Sequence, residues 1–218
     1  MIYAENDRPH KIVTGLYGGS FNPIHIGHTT FARELVTCGA VDQTWLVVSP
    51  SNPLKHSGLW DDGLRLQLAH IALAGIDEVR VSDIEFSLPR PSYTITTLDT
   101  LSTRYPGREF VLVIGQDNWD CFHDWYRWQD IQAGYRIIVI PRSAPSDTTP
   151  GTFPSTSAIA PLALVTDGVL QPMPGKSVHL IDISSTWIRD QIAHNPDYQG
   201  QGLNPDVWEY IRKNRRRQ

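Results

Sequence analysis

Apolar positions along the chain follow two rhythms in alternation: short, nearly unbroken runs, and longer stretches with three-to-four spacing. Residues 11–17 (KIVTGLY), 44–49 (TWLVVS), 79–81, 109–115 (EFVLVIG), 136–140 (RIIVI) and 178–183 are runs of the first kind and predict strands. Residues 28–36 place Phe31 and Leu35 on one helical face, with Ala32 and Val36 beside them. Residues 61–74 carry Leu64, Leu68, Ile71 and Ala72 as a helical stripe, with Asp61 available as N-cap. Residues 94–105 set Ile95, Leu98 and Leu101 on one side, and 184–193 and 205–212 read as terminal helices. Near-continuous apolar runs such as EFVLVIG belong in a parallel sheet covered on both faces. Strand and helix in this alternation predict an α/β fold, a doubly wound parallel sheet flanked by helices with a small C-terminal helical portion.

Residues 143–176 break the rhythm with six prolines (Pro145, Pro150, Pro154, Pro161, Pro172, Pro174) among Ser, Thr and Gly. The expectation there is an irregular surface insertion, with 162–165 available as an edge strand. Residues 1–218 otherwise read as one domain with a helical part at about 184–213.

Composition changes this picture little. The chain has 218 residues, 40% hydrophobic and 19% charged, with a net charge of −4. That balance speaks against bulk binding to nucleic acid or to an anionic membrane. The basic residues Arg212, Lys213, Arg215, Arg216 and Arg217 read as a solvated tail. Cys38 and Cys121 stand far apart, which argues against a disulfide scaffold and a structural zinc site. The N-terminus lacks the apolar core of a signal peptide, and no apolar run approaches the ~20 residues of a membrane span. A cytoplasmic setting is the default expectation, and homo-oligomerisation is left open.

The candidate chemistry begins where the first strand meets GGSFNPIHIGH, residues 18–28. Gly18 and Gly19 would turn tightly and admit a ligand to the main chain. A helix starting near His28 would aim its unpaired amides and positive dipole end at that turn, making an anion site. His25 and His28, on either side of Gly27, can both face the anion and stabilise charge developing on it.

His25-Ile26-Gly27-His28 spells the signature of the HIGH-motif nucleotidyltransferase superfamily, which this segment resembles. Ile183–Arg189 (ISSTWIR) is similar to the superfamily's second signature. The resemblance implies a Rossmann-like fold and a triphosphate held by both signatures. Gly18, Gly19, Ser20, Phe21 and His28 would meet ATP from the first, and Ile183, Ser184, Ser185 and Arg189 from the second. Ser184 is also a good N-cap, and an Arg five positions on lies a turn and a half along the helix.

Three interior segments resemble the bacterial nicotinate mononucleotide adenylyltransferase family. They are 50–55 (PSNPLK), 91–97 (PSYTITT) and 115–128 (GQDNWDCFHDWYRW). By resemblance, Lys55 meets a phosphate, Gly115 and Asp117 contact the adenosine of ATP, and Ser20, Lys55, Tyr93, Thr94, Trp125 and Tyr126 hold the mononucleotide. Locally, Asp117 reads equally as a strand-end turn residue, Thr94 as a helix-start residue, Lys55 as a surface lysine and Trp125 as core. Asn52 and Leu54 stand where the family often has Pro and His.

The family's reaction is the transfer of an adenylyl group from ATP to nicotinate mononucleotide, giving deamido-NAD and pyrophosphate. His25, His28, Lys55 and Arg189 would be its catalytic residues. No carboxylate cluster for a metal is visible, so Mg²⁺ is expected to arrive on ATP. Sister enzymes acting on nicotinamide mononucleotide, phosphopantetheine, FMN or glycerol phosphate, and a non-catalytic nucleotide sensor on the same fold, are the rival readings.

Overall fold

The computed structural model describes residues 11–50, 59–140 and 157–214. Seven strands form one sheet: β1 (Ile12–Gly19), β2 (Gln43–Val48), β3 (Val79–Ser82), β4 (Arg108–Gly115), β5 (Arg136–Ile140), β6 (Ser157–Thr166) and β7 (Val169–Ile181). The helices are α1 (Ile26–Thr37), α2 (Asp62–Ala72), α3 (Thr94–Arg104), α4 (Gln116–Asp120), α5 (Trp128–Gly134), α6 (Ser185–His194) and α7 (Pro205–Asn214). Strand order is β3-β2-β1-β4-β5-β6-β7, parallel through β5 and antiparallel at β6 and β7. The expected doubly wound α/β architecture is present. Its chain reverses winding between β1 and β4, which opens a crevice at the carboxyl ends of those two strands.

The unbroken apolar runs divide by period two. On β4, Phe110, Leu112 and Ile114 pack with α3 and α5, whereas Val111 and Val113 face α1 and β6. On β2, Trp45 and Val47 join the first group, and Leu46 and Val48 pack against α2, α6 and α7. Each such run therefore serves two cores, because alternate side chains leave opposite faces of the sheet. Asp61 caps α2 as its sequence suggests, its side chain accepting from the Leu64 N–H at 2.9 Å.

The expectation for 143–176 is corrected in its second part. Residues 157–176 lie in β6 and β7, a hairpin that extends the sheet, while 143–156 fall outside the described residues. Asp167 and Gly168 connect the two strands at φ +51° and +76°. That is the two-residue, positive-φ loop that Asp-Gly favours between strands. The hairpin is tied to α1, where the Glu34 carboxylate accepts from the His179 main-chain N–H and lies 2.8 Å from His179 Nδ1. Lys176 donates to the Cys38 carbonyl at 2.7 Å.

Leu46 is fully buried in the centre of the sheet. Leu46→Ala is expected to destabilise the fold by about 2–5 kcal/mol, read as a lower urea midpoint at unchanged m-value.

Candidate active site

The glycines of the first signature do not make the turn. Both Gly18 and Gly19 lie within β1, paired with Val47 and Val48, because β2 extends the ladder that far. The chain turns over Ser20–Ile24, with Phe21 at φ +44°. The two glycines have different reasons. A Cβ on Gly18 would meet nothing within 4 Å and would project toward the crevice, whereas on Gly19 it would strike the Phe21 ring at 2.9 Å. Phe21 itself is a core residue, packed edge-on against Tyr17 and His28. Only its main chain can meet a ligand.

His25 and His28 stack at 3.6 Å between ring centroids. His28 Nδ1 accepts from the His25 main-chain N–H at 3.2 Å, so its ring proton sits on Nε2 as a donor. His25 is 7% exposed, and burial lowers its pKa to about 3, which keeps it neutral. Gly27 lets the pair form: a Cβ there would lie 3.0 Å from His25 Nδ1 and 3.1 Å from the Ile183 side chain. Helix α1 begins at Ile26 rather than His28, and its first amide is engaged by the Gly202 carbonyl at 2.9 Å. The anion site therefore cannot draw on every amide of that helix end.

The second signature docks on this turn. Ser184 caps α6, accepting from the Trp187 N–H at 3.1 Å. Ser185 Oγ donates to the Pro23 carbonyl at 2.9 Å, and Arg189 Nη1 donates to the Asn22 carbonyl at 2.7 Å. Residues far apart in the chain thus share one corner, with Ile183 against Gly27.

Beside it opens a cavity of about 190 Å³ at the carboxyl ends of β1, β2 and β4. Gly18 and Gly19 line one side; Tyr93, Thr94, Trp125 and Tyr126 line the other. Tyr93 and Tyr126 approach with ring centroids 4.4 Å apart, and Tyr126 is 54% exposed at the mouth. Trp125 packs against Phe122 in the core, as its local reading has it, and also lines the cavity. Gly115 caps α4 at the end of β4. Asp117 is exposed on α4, and it is Asn118 and Asp124 that border the cavity. Lys55 lies outside the described residues.

Three buried side-chain atoms near the site have no hydrogen-bond partner among the described residues: Ser20 Oγ, His25 Nδ1 and Trp125 Nε1. Buried polar groups are normally paired, so these atoms are free to hydrogen-bond a bound molecule or water.

Sequence reasoning overlooked the polar wall of the cavity. Glu85 is buried there, accepting from Ser49 Oγ and, at 2.9 Å, from Thr97 Oγ1. Burial raises its pKa, opposed by the hydroxyls of Ser49, Thr97 and Ser92. Arg65 was overlooked as well. It shares the buried stripe Arg65, Leu68, Ala69 and Ala72 of α2, and a charged residue at such spacing is the signal that could have found it.

The cytidylyltransferase-like family model matches residues 16–191. The chain is 42% identical to the "Probable nicotinate-nucleotide adenylyltransferase" of Bacteroides fragilis, covering 92% of each. It is 39% identical to the protein so named in Flavobacterium johnsoniae, covering 92% of this chain and 96% of the relative. The fold is similar to that of Plasmodium falciparum nicotinic acid mononucleotide adenylyltransferase complexed with NaAD, with a TM-score of 0.63 and 14% identity over 93% of this chain and 95% of that one.

The buried His25 predicts a pH dependence. Its ring titrates near 6.5 when unfolded and near 3 when folded, so between those values the unfolded chain binds the extra proton. Stability is retained above about 6.5 and falls as pH drops through that window. The urea midpoint is expected to decline from about pH 7 to pH 4, and less steeply in His25→Asn. Equal slopes would contradict the neutral, buried assignment.

Proposed function

The chain belongs to the cytidylyltransferase-like family and, within it, to the nicotinate-nucleotide adenylyltransferases, and on that premise we propose how its residues carry the reaction. It is a nucleotidyltransferase of NAD biosynthesis that joins ATP to nicotinate mononucleotide, giving deamido-NAD and pyrophosphate. The observation that carries this reading is the meeting of α6 with the turn after β1, directly beside a cavity walled by Tyr93, Trp125 and Tyr126.

The mononucleotide phosphate is already anionic near neutral pH and attacks the α-phosphorus of ATP. A new P–O bond forms as the bond to the β-phosphate breaks, and pyrophosphate leaves with its charge. No general base is needed, so the protein's task is alignment and charge dispersal. Arg189 and Lys55 supply cationic charge to the phosphates. His28 donates from Nε2, and neutral His25 holds the His28 ring by stacking. Gly18, Gly19, Ser20, Ser184 and Ser185 line the phosphate path, while Gly115 and Asp117 border the adenosine. The pyridine ring is taken by Trp125 with Tyr93, Thr94 and Tyr126, since flat apolar rings favour offset stacking.

Among the described residues no three His, Cys, Asp or Glu side chains gather to hold a metal. We take Mg²⁺ to enter as part of the MgATP substrate. Among those residues no helix is long and apolar enough to cross a membrane.

Pyrophosphate release with ATP is expected to be fastest with nicotinate mononucleotide, slower with nicotinamide mononucleotide and absent with phosphopantetheine. Preference for phosphopantetheine would refute the acceptor. His28→Ala should keep the fold by circular dichroism and lower kcat by about 100-fold or more. Near-wild-type turnover in a folded mutant would remove His28 from the mechanism.

A further inference from the structure

Arg65 is the most buried charged side chain among the described residues and does not line the cavity. Its guanidinium donates to four main-chain carbonyls: Ser20 at 2.5 Å, Ser49 at 2.8 Å, Pro50 at 3.2 Å and Trp60 at 3.1 Å. These belong to the turn after β1, the end of β2 and the entry to α2. Its one anionic partner, Asp62 at 2.7 Å, is shared with Arg90. Burying a guanidinium is costly, and an apolar side chain would complete the α2 stripe more cheaply. Only a planar fork of five donors can hold carbonyls from three segments at once.

Ser49 continues the chain of contacts. Its N–H donates to the Gly19 carbonyl at 2.9 Å, its own carbonyl accepts from Arg65, and its Oγ donates to Glu85. Glu85 in turn accepts from Thr97, one turn into α3 from Thr94. A continuous path of hydrogen bonds therefore runs from Ser20 on the phosphate turn, through Arg65, Ser49 and Glu85, to the helix that carries the acceptor wall.

We propose that Arg65, Ser49 and Glu85 are positioning residues that brace the phosphate turn against the acceptor wall and set the distance between the two substrates. The inference rests on the adenylyl-transfer reading above, because a reaction between two bound anions is sensitive to their spacing. A displacement of ~1 Å can cost about 100-fold in rate without weakening either binding step.

The test uses the full chain with ATP and nicotinate mononucleotide. Arg65→Lys, Ser49→Ala and Glu85→Gln are each expected to lower kcat by about tenfold or more, with KM for both substrates within about threefold of wild type. Fold integrity is read by near-UV circular dichroism at the assay temperature. Arg65 and Glu85 are joined through Ser49, so the Arg65→Lys/Glu85→Gln double variant should be no slower than the slower single. If Arg65→Lys does not fold, Ser49→Ala, Glu85→Gln and their double variant carry the same comparison. Three results would overturn the brace: unchanged kcat in folded variants, a loss confined to KM for one substrate, or additive losses in the double variant. Failure of the wild-type protein to form the dinucleotide would instead defeat the underlying reading of the reaction.

Discussion

The site depends on β1 being hydrogen-bonded along both edges, to β2 on one side and β4 on the other. A strand so held cannot shift its register without breaking two ladders, and its carboxyl end sits where the winding of the sheet reverses. That end therefore offers a fixed main-chain edge beside an open crevice. Gly18, which has nothing within 4 Å of where a Cβ would be, makes the edge reachable. The turn over Ser20–Ile24 then inherits the precision of the strand, and α1, the histidine pair and α6 are placed by it.

The second consequence is electrostatic. The corner where Arg189 meets Asn22 and Ser185 meets Pro23 joins main-chain dipoles, a helix N-terminus and a guanidinium in one half-buried place. Interactions with an anion are stronger there than in water, because fewer solvent dipoles compete. His25 is held as a neutral ring, since burial forbids its charge, and in the mechanism we propose the cationic charge comes from Arg189 and Lys55. The acceptor side is built differently, from aromatic rings at the mouth and a carboxyl clasped by hydroxyls behind them. One side of the cavity suits phosphates and the other suits a flat ring.

Much of this was legible from the chain. The order of β1 to β5 with α1, α2 and α3, and the Asp61 and Ser184 caps, follow from spacing and residue type; the two signatures were matched by resemblance, and the structure brings them together. The misreadings have physical causes. Gly18 and Gly19 look like a turn in isolation, but pairing with β2 keeps them extended. The prolines after 143 obscured the hairpin of β6 and β7, although Asp167-Gly168 announced its turn. Asp117 followed the strand as expected, yet its neighbour Asn118 is the one that borders the cavity.

The sequence by itself determined the strands β1 to β5, the helices α1 to α3, α6 and α7, and the Asp61 and Ser184 caps. These depend on residues close together in the chain, where hydrophobic period, capping and backbone freedom act locally. Only the tertiary structure decided that His25 stays neutral, that Phe21 belongs to the core, and that Arg65, Ser49 and Glu85 join the two walls of the cavity. Each of those facts depends on burial or on hydrogen bonds between segments tens of residues apart. Desolvation and long-range pairing leave no periodic trace in a sequence, because they exist only once the chain has closed on itself.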